Sequence, residues 1–123
     1  MPGCNFVTSD KELTAKAVEY CEKKGYKYVT GSVLTTSAPF LETGKIVQTW
    51  SSEGHIGVDM ETAVTLAVAN KFNKKAVSLL NLSDQMLNGD TFYTYSKERE
   101  ALEAEIDERI RDIALYLCSY KKR

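Results

Sequence analysis

Two carboxylates, Asp59 and Glu61, stand where the chain changes its apolar period, in GVDMETAVTLAVANKF from Gly57 to Phe72. His55 to Val58 is short and mostly apolar, which suits a strand or a loop, whereas the stretch after it is apolar at helical spacing. Acid groups at such a junction must have their desolvation offset. Glu61 is expected in the first helical turn, where unpaired backbone N–H groups and the helix dipole keep a carboxylate ionised. An ionised carboxylate on a cleft wall is a good acceptor for a diol. The plainer alternative is that Glu61 only complements the dipole and Asp59 only caps the helix; spacing alone does not separate the two.

Asp84 differs, because it ends the largely apolar run AVSLLNLSD, Ala76 to Asp84. Desolvation there would raise its pKa and suit it to donate a proton, as a general acid must. An Asx turn after a strand explains the same residue without chemistry. His55, the single histidine, reads as structural or exposed. Arginines occur only at Arg99, Arg109, Arg111 and Arg123. A tight phosphate pocket wants arginine forks or a glycine-rich turn opening a helix, and the chain before residue 99 offers neither. Arg99 is the candidate phosphate or loop contact, with pairing to Glu103 on a helix surface as the alternative.

These groups need elements to hold them. Ser9 with Glu12 makes a capping box ahead of a helix with Leu13, Ala17, Val18, Tyr20 and Cys21, and Gly25 stands where a C′ glycine belongs. Tyr26 to Leu34 is rich in aromatic and β-branched residues and reads as a strand, with Gly31 marking a bulge or a close approach of another backbone. A short helix is expected between Thr43 and Glu53, with Trp50 in the core. Met60 to Phe72 is apolar nearly all round, which predicts a helix buried on more than one side. Ala76 to Asp84 predicts a central strand, and Gln85 to Tyr95 a loop. Ser96 caps a final helix with Leu102, Ile106, Ile110, Ile113 and Leu117 on one face. Helices alternating with strands argue for a layered α/β/α domain with a mixed, largely parallel sheet. Ligands then bind beyond the carboxyl ends of the strands, where Thr35, Thr36 and Ser37, Asp59 to Glu61, and Ser83 with Asp84 fall.

Composition narrows the function. At 123 residues one domain is expected. Sixteen basic against 17 acidic residues leave a net charge of −1, so no general field attracts nucleic acid or an anionic membrane. Cys4, Cys21 and Cys118 are an odd, scattered set beside one histidine, which argues against a zinc site and a disulfide framework, and so for a reducing compartment. No apolar run reaches the ~20 residues of a membrane span, and MPGCNFVTSD has no signal pattern, so the cytoplasm is expected.

In order along the chain, SDKEL (Ser9 to Leu13), TGSVLTT (Thr30 to Thr36), GVDMETA (Gly57 to Ala63) and LNLSD (Leu80 to Asp84) resemble the second half of the nucleoside phosphorylase superfamily. That superfamily includes purine nucleoside and uridine phosphorylases, methylthioadenosine nucleosidases and AMP nucleosidases. The resemblance covers roughly residues 8 to 118, and GVDMETA with TGSVLTT looks closest to the AMP nucleosidase branch. It implies a single, partial phosphorylase-like domain over residues 1–123.

The resemblance also implies roles. Met60 packs on the sugar and Glu61 accepts hydrogen bonds from its hydroxyls, with Asp59, Thr35 and Leu34 beside the substrate. Asp84, with Ser83 next to it, hydrogen-bonds and protonates a purine base. The implied activity is cleavage of the N-glycosidic bond of a purine nucleoside or nucleotide, with inorganic phosphate as candidate co-substrate and no cofactor or metal. Two departures stand out: Asp59 replaces a common glutamate, and Leu34 replaces the aromatic ring that stacks on the base. The family's first half, with its phosphate-holding glycine turn and arginines, has no counterpart. A homo-oligomer or a completing chain carrying that half is therefore expected, because half a sheet leaves an open edge. An inactive nucleoside-binding or oligomerisation module is the alternative function.

Overall fold

A computed structural model describes residues 6–36, 44–81 and 97–120. The elements run α1 (Lys11–Lys24), β1 (Ser32–Thr35), α2 (Gly44–Ser52), β2 (His55–Asp59), α3 (Thr62–Lys71) and α4 (Lys97–Ser119). β1 and β2 pair in parallel, with Val33 opposite Gly57, Leu34 opposite Val58 and Thr35 opposite Asp59. Parallel neighbours need a crossover between them, and α2 lies within it. The architecture is the mixed α/β class with parallel pairing that the alternation of elements implies.

Local chemistry sets the ends of α1. Its N-cap is Asp10, whose carboxylate accepts from Leu13 N–H at 2.9 Å. The capping box expected from Ser9 is thus displaced by one residue. Asp10 N–H is held by Ala76 C=O at 2.8 Å, which brings Asp10 to the helix start, while Ser9 Oγ lies 2.7 Å from Thr14 Oγ1. Glu12 takes Lys75 Nζ at 2.7 Å. Gly25 ends the helix at φ 71°, and Tyr26 N–H reaches back to Cys21 C=O at 2.9 Å, the six-to-one bond of a Schellman motif.

The core lies between α1 and α4, where Ala17, Cys21 and Ile113 are buried and Tyr20, Tyr26, Leu79 and Leu117 pack against them. Burial pushes the Cys21 thiol pKa up. Replacing Ile113 with alanine is expected to cost about 2–3 kcal/mol of unfolding free energy by denaturant titration, from lost burial and a residual cavity. A cost under about 0.5 kcal/mol, the scale of a surface change, would show that the core lies elsewhere.

A polar brace closes the same interface. The Tyr26 and Tyr20 hydroxyls donate to Asp112 Oδ2 at 2.8 and 3.0 Å, and Tyr20 stacks on Tyr116 at 4.3 Å. The Tyr26 hydrogen bond holds Asp112 below the usual carboxylate range, helped by Tyr20 and Lys24 and opposed by partial burial. A carboxylate lowered on folding contributes stability above its unfolded pKa and loses it as pH falls through the folded value. Stability is therefore expected to decline on acidification below about pH 4. Asp112→Asn should flatten that part of the profile in thermal melts across pH.

Several expectations are corrected. The strand expected over Tyr26 to Leu34 is confined to Ser32–Thr35, because Tyr26 is drawn into the α1 and α4 core and Tyr28 donates to Glu22 at 2.6 Å. Gly31 makes a close approach, but to a side chain: a Cβ there would lie 2.7 Å from Ile56 Cδ1. The strand expected from Ala76 is not formed over the described residues 76–81. That segment is tied to helices instead, through Ala76 C=O to α1 and through Asn81, which donates to Glu103 C=O at 3.2 Å and Asp107 Oδ1 at 3.0 Å on α4. Finally, α3 buries only Leu66, while Val64, Val68 and Phe72 are 62%, 52% and 64% exposed. An all-apolar helix needs cover on several sides, and among the described residues its main neighbour is β1. Trp50, expected in the core, is half-buried.

Candidate functional site at the carboxyl ends of the parallel strands

The carboxyl ends of β1 and β2 are joined by hydrogen bonds that continue past the ladder. Thr36 N–H donates to Asp59 C=O at 2.9 Å, and Thr35 Oγ1 donates to Asp59 Oδ1 at 2.8 Å. The Asp59 carboxylate then turns to the start of α3, accepting from Thr62 N–H at 3.4 Å and from the Thr62 hydroxyl through its second oxygen. Thr35 Oγ1 in turn accepts from Ala63 N–H at 3.0 Å. The first two N–H groups of α3, which no helical carbonyl can satisfy, are thus taken by Asp59 and by a residue of the neighbouring strand.

This division of labour determines what is left for Glu61. Thr62 begins α3, so Glu61 is the N-cap residue and not part of the first turn as expected. Its backbone stands at φ −130° and ψ −27°, its carbonyl accepts from Thr65 N–H at 3.0 Å, and its side chain makes no capping hydrogen bond. The carboxylate is exposed at the positive end of the helix, a place that favours an anion. Beside it Met60 is 51% exposed. An exposed acceptor next to an exposed thioether can take a ligand with hydroxyls on one side and an apolar face on the other.

Of the other expected site residues, Leu34 is half-buried in β1 opposite Val58, one position before Thr35. Arg99 lies in the first turn of α4. Ser83 and Asp84, like the loop from Gln85 to Tyr95 and the cap Ser96, lie outside the described residues. His55 is at the opposite end of β2, with Nδ1 2.9 Å from Ser32 Oγ and Nε2 3.9 Å from Glu53. Among the described residues no three His, Cys, Asp or Glu side chains gather as a metal site. An open depression formed by Phe6, Val7, Ala67 and Lys71 lies toward the far end of α3 from Glu61.

Two members of the network escape a reading of single residues. Thr62 is three residues after Asp59, the spacing at which an acid side chain reaches a helix-start N–H, so D-x-x-T carries the signal. Ser78 Oγ is 3.2 Å from Thr62 Oγ1, and its only trace in the sequence is a hydroxyl interrupting an apolar run.

Comparison with known proteins places the chain in a family. The family model described as the phosphorylase superfamily matches residues 2–118. The purine nucleoside phosphorylase DeoD-type of Geobacillus sp. (strain WCH70) is 33% identical over 108 residues, covering 88% of this chain and 45% of that protein. The protein of the same description from Bacillus velezensis is 35% identical over 92 residues, 75% of this chain and 38% of its own length. That from Bacillus cereus (strain B4264) is 31% identical over 115 residues, 93% and 48% of the two chains. The chain thus spans less than half the length of these curated relatives. No described helix is long and apolar enough to cross a membrane. A match running over nearly all of the sequence, on a parallel βαβ frame with its acids at the strand ends, makes this chain a member of the phosphorylase superfamily.

Proposed function

We propose that this chain forms the nucleoside-facing part of a site that cleaves the N-glycosidic bond of purine nucleosides by phosphorolysis. The observation that carries the reading is the exposed Glu61 carboxylate, left out of the helix cap at the carboxyl end of a parallel strand pair. The purine nucleoside phosphorylase description of the relatives supports the base and the reaction type.

In this reading Glu61 accepts hydrogen bonds from the ribose hydroxyls and Met60 packs on the sugar. Leu34 is beside the base, offering apolar contact but no ring stacking. Ser83 and Asp84 face the purine. As the C–N bond breaks, its electron pair moves onto the base and Asp84 delivers the proton that makes the base a better leaving group. A phosphate oxygen bonds to the anomeric carbon as the C–N bond opens, and Arg99 is the contact proposed for phosphate or the adjoining loop. Water as the attacking group, giving hydrolysis, is the version that likeness to the AMP nucleosidase branch favours. No cofactor is called for, and the cytoplasm is the proposed site of action.

The open apolar rows, Ile56 with Val58 on β2 and Val64 and Val68 on α3 with Phe72 at its C-cap, favour a self-associating protein or one completed by the rest of the fold. They also favour the second reading, a module that binds or assembles without turnover. The test is release of hypoxanthine or adenine from inosine or adenosine with phosphate present. It is run on the chain alone and mixed with the part of the Geobacillus relative that this chain does not cover. Release in either arm, dependent on this chain, is expected. Nucleoside binding without release in both arms would establish the non-catalytic module, and neither binding nor release by folded protein would overturn the nucleoside reading.

A further inference from the structure

We infer that Thr35 and Asp59 are positioning residues, forming a brace between β1 and α3 that keeps the Glu61 carboxylate available to a ligand. This rests on the nucleoside reading for the ligand, but the brace is a statement about the protein alone. The Asp59 carboxylate is shared among Thr35 Oγ1, Thr62 N–H and the Thr62 hydroxyl, so three of its roughly four acceptor sites are engaged inside the protein. Thr35 Oγ1 uses its proton on Asp59 and a lone pair on Ala63 N–H. A single hydroxyl that both donates and accepts within the fold has little left for substrate.

The consequence for Glu61 follows from where it sits. Its neighbours are pinned, Asp59 through Thr36 N–H and Thr62 through the Asp59 carboxylate, so the intervening backbone is held from both sides. The nearest donors a Glu61 carboxylate would otherwise seek are the open N–H groups at the start of its own helix. Of these, Thr62 N–H is occupied by Asp59 and Ala63 N–H, one of the two that an N-cap side chain ordinarily takes, by Thr35. If the Thr35 hydroxyl is removed, Ala63 N–H loses its acceptor and becomes a competitor for Glu61.

The experiment compares Thr35→Val, which keeps the shape and removes the hydroxyl, with Thr35→Ser, which keeps the hydroxyl. In the ligand-free chain, Thr35→Val is expected to speed amide exchange at Ala63 by about tenfold. It is also expected to shift the Glu61 side-chain NMR resonances and give contacts from the Glu61 γ-protons to the Ala63 amide, with Thr35→Ser close to the parent. If exchange and Glu61 resonances stay put in Thr35→Val, with the fold retained by circular dichroism, the brace is overturned whatever happens to ligands. In the second arm, Thr35→Val is expected to weaken inosine about tenfold while leaving 2′,3′-dideoxyinosine unchanged, since only the former uses Glu61. Equal weakening of both would show that Thr35 touches the ligand directly and would overturn the positioning role. Ligand-free shifts in a parent chain that does not distinguish the two nucleosides would support the brace and remove the nucleoside reading instead.

Discussion

Glu61→Ala is expected to weaken purine nucleoside binding by about a hundredfold and to abolish preference for the ribo over the 2′,3′-dideoxy form. A carboxylate accepting from a hydroxyl is worth about 1.5–3 kcal/mol net, so the loss of two such bonds at the lower figure gives about 3 kcal/mol. At about 1.4 kcal/mol per factor of ten, that is two orders of magnitude. The fold should tolerate the change, because the side chain is exposed and takes no part in capping α3. Only the Glu61 carbonyl is used, by Thr65 N–H, and alanine keeps it. Calorimetric titration with the two nucleosides, beside a thermal melt, separates these effects. Undiminished inosine affinity in a folded Glu61→Ala protein would remove the sugar-binding role. Glu61→Gln, which keeps an acceptor without the charge, should fall between the parent and alanine.

Asp84→Asn should act on a different quantity. A positioned general acid contributes about 10²–10⁴-fold to rate, so kcat for base release should fall by that factor with KM little changed. Asparagine keeps the hydrogen-bonding shape but carries no proton to give at the moment the C–N bond breaks. An N7-methylated purine nucleoside already bears a positive charge on its base and departs without protonation. It should therefore escape most of the loss. Parallel turnover measurements on inosine and its N7-methylated counterpart make the distinction. An equal fall for both substrates would make Asp84 a contact that holds the base and not the acid.

These two acids were legible in the sequence to different depths. Glu61 could be placed beside a helix start because the apolar period changes from short and continuous to helical within a few residues, and period is a local property of the chain. Gly25 was legible for the same reason: a helix end in the left-handed region calls for glycine whatever surrounds it, and φ there is 71°. The Ser9 box was misplaced by one residue because both Ser9 and Asp10 are capping types, and the choice between them fell to Ala76, distant in sequence, which holds Asp10 N–H. The strand expected from Ala76 failed likewise. An apolar run has no strand without a neighbour to complete its ladder, and residues 76–81 find helices α1 and α4 instead.

The division is clearest at the site. By itself the sequence determined that acids lie at the junction of a strand and a helix, that elements alternate in an α/β manner, and which motifs tie the chain to its family. All of these depend on residues close together along the chain. Only the tertiary structure decided that a second strand supplies the acceptor for Ala63 N–H and that the Glu61 carboxylate is left over. That choice turns on Thr35, 24 residues before Asp59 in the chain yet directly opposite it in the parallel register. Its hydroxyl can reach both the Asp59 carboxylate and Ala63 N–H only after β1 and β2 have paired. Hydrogen bonds act over about 3 Å, and no spacing rule along one chain can report a distance that exists only once two strands lie side by side.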